Sequence, residues 1–283
     1  MKAHGRNRRP PNAPGSGGGQ CDRSHLARPR WRQHVDHVHT RAYQSDASLT
    51  ILHTVGDVIR LIDELGENHA VLVGHDWGGS VAWNAALMRP DRVRAVASLS
   101  APYQPRPDRP PMGTLRASAG DNYYSVYVQE PDVADEELAR DPRATVRCAL
   151  YGASADGYPW NPVIPDGGRL LDIWPEPAKL PGWLTEEHIN TCATDFERTG
   201  FTAALNWFRN YDRNWALTNP WHDAVVQQPA LYITGDQDLG GMGQGAAALI
   251  AGRPRCLICV RRSCCRVAAT GSSRSNPSRS TRH

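Results

Sequence analysis

The stretch Ala70-Val71-Leu72-Val73-Gly74-His75-Asp76-Trp77-Gly78-Gly79 constrains the fold more than any other part of this 283-residue chain. A short apolar run ends at Gly74, and a helical pattern resumes at Ser80-Val81-Ala82-Trp83. That order predicts a strand, a sharp turn and a helix, with the Asp76 side chain presented at the turn. Glycines at 74, 78 and 79 suit it, because a strand and a helix joined this tightly leave little room for a Cβ. Asp76 also falls at the helix N-terminus, where free N–H groups and the helix dipole favour an ionised carboxylate. Two readings follow. Asp76 is either an N-cap in an ordinary strand–helix turn, or a nucleophile whose attack on saturated carbon leaves an ester for water to cleave.

The net charge of +3 is unevenly spread. Residues 1–41 hold nine Lys and Arg against Asp22 and Asp36, and residues 253–283 hold eight Arg and no acid. The middle, 42–252, carries 15 basic and 27 acidic residues, so two basic ends flank an acidic body. Basic arms can bind nucleic acid or anionic lipid. These are Arg mixed with Pro, Gly and Ser, without interleaved aromatics, so neither nucleic acid nor membrane is expected as a partner. No apolar run approaches the length of a bilayer span, and the N-terminus reads without the apolar core of a signal peptide. A cytoplasmic protein is the expectation. Cys256, Cys259, Cys264 and Cys265 invite a zinc reading, but the pairs are too close to enclose a knuckle. No metal and no cofactor are expected.

Periodicity divides the chain further. Residues 1–41 show none and are expected to be disordered. Leu49, Leu52, Val55, Ile59 and Ile62 recur at helical spacing, and Gly66 closes that run. Residues 70–74 form the strand before the turn, 80–89 the helix behind it, and Val93–Leu99 the next parallel strand. Residues 103–120, rich in Pro and Gly, read as a linker. Aromatic-rich helical stretches fill roughly 121–220, with Thr185 as a helix N-cap. Pro229–Gly235 reads as a buried strand followed by Asp236 and Asp238. The expected layout is an α/β core in 42–110 and 221–252, a helical insert in 111–220, and a disordered basic tail in 253–283.

These residues together resemble the soluble α/β-hydrolase-fold epoxide hydrolases. The resemblance covers about 42–240. It rests on Gly74–Gly79, on Tyr124-Ser125-Val126-Tyr127-Val128-Gln129-Glu130-Pro131, and on Leu205-Asn206-Trp207-Phe208-Arg209-Asn210. Asp212-Arg213-Asn214-Trp215 and Thr234-Gly235-Asp236-Gln237-Asp238 extend it. It implies a mostly parallel sheet with helices on both faces, a helical cap domain, and a fold incomplete at both ends. It implies Asp76 as the nucleophile of a strand–turn–helix elbow, opening an epoxide through an ester to give a vicinal diol. Tyr124 would donate the proton to the opening ring, the Trp77 backbone N–H would hold the oxyanion, and Asp238 would orient a His base. Tyr124 is alternatively a buried aromatic, and Asp236 alternatively takes the place of Asp238. His75, Tyr127, Trp207 and Phe208 would line the substrate pocket. The family's second donor tyrosine falls at Phe208, and Tyr211, about one helical turn on, is the open candidate to stand in. The implied partners are a small epoxide and water, and a homodimer is one assembly the resemblance allows.

Two parts of the pattern are not found in this sequence. The family's upstream His-Gly-Phe-Pro has no counterpart beyond His4-Gly5, and after Asp238 the only His is His283. Codons for Cys265–Gly271 can be read one base earlier to spell Leu-Pro-Gly-Cys-Gly-His-Trp, the segment in which the family carries its catalytic His. An out-of-frame tail and impaired hydrolysis are therefore expected. A haloalkane dehalogenase, which shares the elbow, and a non-catalytic fold remnant or binding protein are the competing readings.

Overall fold

The computed structural model describes residues 49–235 and the backbone of a strand at 259–265. Four strands, β1 (Ala70–His75), β2 (Val93–Leu99), β3 (Ala230–Gly235) and β4 (Cys259–Cys265), form one sheet in that order. Every pair is parallel. His75 lies beside Leu99, and Leu99 beside Ile233, so the carboxyl ends of the first three strands meet at one edge. Open parallel sheets build their sites at that edge.

Helix α1 (Ile51–Glu64) follows the apolar spacing, burying Ile51, Val55, Ile59 and Ile62, and Gly66 turns the chain out at a φ of 72°. Its N-terminus is tied to a distant segment, since the Ile51 N–H donates to Asn214 Oδ1 at 2.8 Å. Helix α2 (Trp77–Met88) packs beside it, and Val81, Trp83 and Ala85 join α1, Val93, Val96 and Ala230 in one core. Ala70 and Leu72 face this core. Val71 and Val73, on the other face of β1, are 58% and 70% exposed. Among the described residues, α1 and α2 share a single core on one side of β1.

Between β2 and β3 the chain folds into helices: α3 (Pro111–Ala119), α4 (Tyr124–Tyr127), α5 (Val133–Ala139), α6 (Pro142–Gly152), α7 (Glu186–Thr199), α8 (Thr202–Arg209) and α9 (Tyr211–Leu217). Thr185 caps α7 as expected, its hydroxyl accepting from the His188 N–H at 3.2 Å. The insert has its own buried clusters, one around Val128, Leu138, Leu170 and Leu205, and another around Val146, Leu184 and Ile189.

Two stretches differ from their sequence reading. Within the Pro/Gly-rich 103–120, residues 111–119 are helical, because Pro111 suits the first helical turn and Asp212 Oδ1 accepts from the Met112 N–H at 2.9 Å. The basic tail was expected to be disordered throughout, yet Cys259–Cys265 pairs with β3 as a fourth strand. The apolar, β-prone run Leu257-Ile258-Cys259-Val260 leads into it, and the pairing occupies backbone groups on the far edge of β3. No helix among the described residues is long and apolar enough to cross a membrane.

Candidate active site

Asp76 sits between β1 and α2 with φ 52° and ψ −122°, a conformation that costs a non-glycine residue about 1–3 kcal/mol. The surroundings enforce it. The Asp76 N–H donates to the Leu99 carbonyl of β2 at 3.1 Å, and the Asp76 carbonyl accepts from the N–H groups of Gly79 (2.9 Å) and Ser80 (3.2 Å). A Cβ on Gly74 would lie 2.1 Å from the Gly78 carbonyl oxygen, and one on Gly79 would lie 2.4 Å from Ser98 Oγ. A Cβ on Gly78 would meet nothing within 4 Å. Glycine is therefore required at 74 and 79, where strand, helix and β2 touch. The Asp76 residue is exposed at the carboxyl edge of the sheet.

An aromatic wall stands against this turn. The Trp77 ring stacks on Trp207 (centroids 5.3 Å apart, 26° between planes) and meets Phe208 edge-on at 5.4 Å. Tyr211 lies 5.4 Å from Trp77 and 6.3 Å from Phe208. Tyr124 meets Phe208 at 5.6 Å, and Trp160 meets Tyr124 at 5.2 Å. Such pairs add about 0.5–1.5 kcal/mol each beyond the area they bury. The wall joins the insert to the elbow. Burial pushes the Tyr124 phenol up to about 12, with the Tyr123 and Asp76 charges adding to the shift and a Ser125 hydrogen bond opposing it. Burial also raises the Tyr211 phenol, and the charges of Tyr124, Asp76 and Tyr123 raise it further. Both phenols therefore stay protonated through neutral pH, and both feel the Asp76 carboxylate.

The motif residues around these rings form a clamp. Gln129 Nε2 donates to the Ser125 carbonyl (2.8 Å) and the Phe208 carbonyl (3.0 Å). Arg209 donates to the carbonyls of Val128 (2.9 Å) and Glu130 (3.2 Å) and pairs with the Asp135 carboxylate. The end of α4, whose last carbonyls have no helical partner, is thus bound to α8. From the opposite side, the Tyr124 N–H donates to the Pro162 carbonyl at 2.9 Å. Tyr124 and Phe208 are held in one frame.

The Arg209 and Asp135 side chains are 8% and 10% exposed, so removing one leaves the other charged and buried. Arg209→Met is expected to lower unfolding stability by about 3 kcal/mol or more at neutral pH, measured by urea titration. Burial alone would raise the Asp135 carboxyl, but the hydrogen bonds from Arg209 and Thr202 and the Arg209 charge hold it below its ordinary range. A lowered carboxyl stabilises above its unfolded-state pKa and loses that stabilisation as pH falls through the folded-state value. The deficit of Arg209→Met is therefore expected to shrink in acid.

The structure brings together Asp76, Trp77, Tyr124, Trp207 and Phe208 from the sequence-predicted set. Tyr127 turns elsewhere. Its hydroxyl donates to Glu137 Oε2 at 3.1 Å, and Glu137 also accepts from the Leu171 N–H at 3.0 Å. His75 is exposed at the end of β1, on the strand face shared by Val71 and Val73. Asp238 and Asp236 lie outside the described residues, as do His4 and His283. His188 is exposed on α7, and His222 stands 3.9 Å from both Asp108 and Asp223. Trp160 had no motif to mark it, and Tyr211 had only its spacing from Phe208. Asp212 and Asn214 of the D-R-N-W motif prove to be ties to α3 and α1. Trp215 donates to the Pro107 carbonyl at 2.7 Å while Arg106 lies over its ring at 4.1 Å.

A parallel sheet, an acid at a strained strand–helix turn and a helical insert after β2 define an α/β-hydrolase-fold protein, and the alpha/beta hydrolase fold family matches residues 1–135. Epoxide hydrolase A of Mycobacterium tuberculosis is 42% identical over 186 residues, 64% of this chain and 58% of that protein. Epoxide hydrolase 3 of Siraitia grosvenorii is 42% identical over 199 residues, 69% of this chain and 61% of that protein. The chain thus spans about three fifths of the length of these curated relatives. The crystal structure of epoxide hydrolase A from Mycobacterium thermoresistibile superposes with a TM-score of 0.69 at 37% identity, covering 81% of this chain and 74% of that one. Potato epoxide hydrolase I gives 0.71 at 32% identity, covering 80% and 72%. The chain belongs to the α/β-hydrolase-fold epoxide hydrolases.

Proposed function

We propose that this chain opens an epoxide by attack of the Asp76 carboxylate on a ring carbon, forming an ester. One observation carries this reading: Tyr124, a buried and neutral phenol, packs on Phe208, which packs on Trp77 beside Asp76, and the Asp76 charge reaches it. An epoxide oxygen released from carbon carries alkoxide charge and needs a proton. A halide leaves as a stable anion and needs none. The donor opposite the carboxylate therefore favours ether opening over dehalogenation. Within the reading, the Trp77 N–H at the start of α2 holds the oxyanion during ester cleavage, the 111–220 insert is the cap, and Trp207 and Phe208 line the pocket. Asp238, three residues past Gly235 in the sequence, orients the base. The sequence offers no His in the expected context after Asp238, so ester cleavage in this chain is slow.

The test is a comparison of substrates on the full chain. A styrene-oxide-like epoxide is expected to be consumed in a burst of about one equivalent per chain, followed by slow diol release, while a primary chloroalkane releases no chloride. A chain whose tail is read one base earlier is expected to release diol faster, and changing its new His to Gln should remove the gain. Chloride release without epoxide consumption overturns the reading in favour of a dehalogenase.

A further inference from the structure

Behind the Asp76 turn lies a buried polar junction that this mechanism has not used. Asp76 and Ser100 each follow the last residue of neighbouring strands, and both hold left-handed φ values, 52° and 66°. Such strain outside glycine persists only where the surroundings impose it, and it gathers at functional sites. The Ser100 N–H donates to the Ile233 carbonyl of β3 at 2.9 Å. The next carbonyl, that of Ala101, accepts the Trp83 indole N–H at 2.9 Å and the Ser98 hydroxyl at 2.5 Å. Trp83 belongs to α2 and Ser98 to β2, so one carbonyl ties the elbow helix to the neighbouring strand. The junction also reaches the turn itself. Ser98 Oγ fills the space that a Cβ on Gly79 would take, and the Gly79 N–H donates to the Asp76 carbonyl at 2.9 Å. With the Asp76 N–H bonded to the Leu99 carbonyl at 3.1 Å, the start of α2 is fixed on β2 at Asp76, Gly79 and Trp83. Ser98 and Trp83 are 0% and 3% exposed, so neither touches a substrate. Packing alone does not call for their polar atoms, since alanine at 98 and phenylalanine at 83 would leave nothing polar to satisfy.

We propose that Ser98 and Trp83, acting through the Ala101 carbonyl, are positioning residues that aim the Asp76 carboxylate along its line of attack. The inference rests on the epoxide-opening reading above. A nucleophile reaches saturated carbon from the side opposite the breaking carbon–oxygen bond, so the direction of the carboxylate governs the rate once substrate is bound. A misplacement of about 1 Å, caused by a change away from the chemistry, can cost about a hundredfold. The junction fixes how far α2 slides along β2 and how it rolls against it. Those two coordinates decide where the side chain at the head of the helix points. Each donor holds the same oxygen, so loss of one leaves part of the restraint and loss of both removes it.

The experiment follows the styrene-oxide adduct on the Asp76 peptide of the full chain over a range of epoxide concentrations. In Ser98→Ala and in Trp83→Phe the maximal rate constant is expected to fall about tenfold, and in the double variant about a hundredfold. The half-saturating concentration is expected to stay within twofold of the parent, because the rings of Trp77, Trp207 and Phe208 are untouched. A merely structural role would give the opposite pattern. Less of the chain would be folded by far-ultraviolet circular dichroism, while the folded part kept the parent's maximal rate. Trp83→Phe keeps a ring beside Tyr103, 5.6 Å away in the parent, and so preserves the readout if Ser98→Ala fails to fold. A maximal rate within twofold of the parent in Trp83→Phe, or a change confined to the half-saturating concentration, overturns the proposal while the reading of Asp76 stands. A parent chain that gains no adduct on Asp76 overturns that reading, and this inference with it.

Discussion

Treated with a styrene-oxide-like epoxide, the chain is expected to gain one substrate mass on the peptide that contains Asp76, and Asp76→Ala is expected to gain none. The effect is all-or-none because the bond in question is made by the residue removed. Three features single out this carboxylate. The turn holds it at φ 52° between a strand and a helix that approach so closely that a Cβ on Gly74 would strike the Gly78 carbonyl. Helix α2 begins at the next residue, and its dipole favours the ionised, nucleophilic form. The residue is also exposed at the carboxyl edge of the sheet, and its charge reaches two buried phenols, Tyr124 and Tyr211. Intact-mass and peptide mass spectrometry check the prediction. Adduct on another peptide, or labelling that persists in Asp76→Ala, would sink the nucleophile.

Tyr124→Phe is expected to slow formation of the same adduct by about a hundredfold, within the usual range for loss of a general acid. The change removes one oxygen from a side chain whose own N–H is bonded to the Pro162 carbonyl and whose neighbours Ser125 and Val128 are held by Gln129 and Arg209, so the ring is expected to stay in place. Its contacts with Phe208 and Trp160 are between rings and survive the loss of the hydroxyl. Stopped-flow quenching followed by mass analysis gives the rate, and a thermal melt unchanged from the parent separates lost acid catalysis from lost structure. An unaltered rate would assign Tyr124 to packing alone.

Arg209 and Gln129 show how motif and structure divide the explanation. Both belong to segments that carry the family resemblance, which gives neither of them a role. In the folded chain they hydrogen-bond backbone carbonyls and a buried carboxylate. They hold the helix that bears Tyr124 against the helix that bears Phe208, and so act by position.

From the residues alone came the elements and the acid-bearing turn. Strand, turn and helix around Asp76, the helix at 51–64, and the strands at 93–99 and 230–235 were legible because their signals are local. They are apolar spacing, a run of small residues, and an acid placed where a helix begins. The resemblance added Tyr124 and the aromatic pair Trp207 and Phe208. Tertiary structure alone decided which groups share a space. Tyr127 carries as strong a motif as Tyr124, yet its hydroxyl is taken by Glu137 on the next helix. Tyr211 carries none, yet at the start of α9 its ring lies 5.4 Å from that of Trp77. Gly78 belongs to the glycine run, yet only Gly74 and Gly79 are needed, because only there does backbone or a β2 side chain approach too closely for a Cβ. Periodicity reports how a residue sits on its own element, whereas a site depends on the angle at which two elements meet, set by packing between residues far apart in sequence.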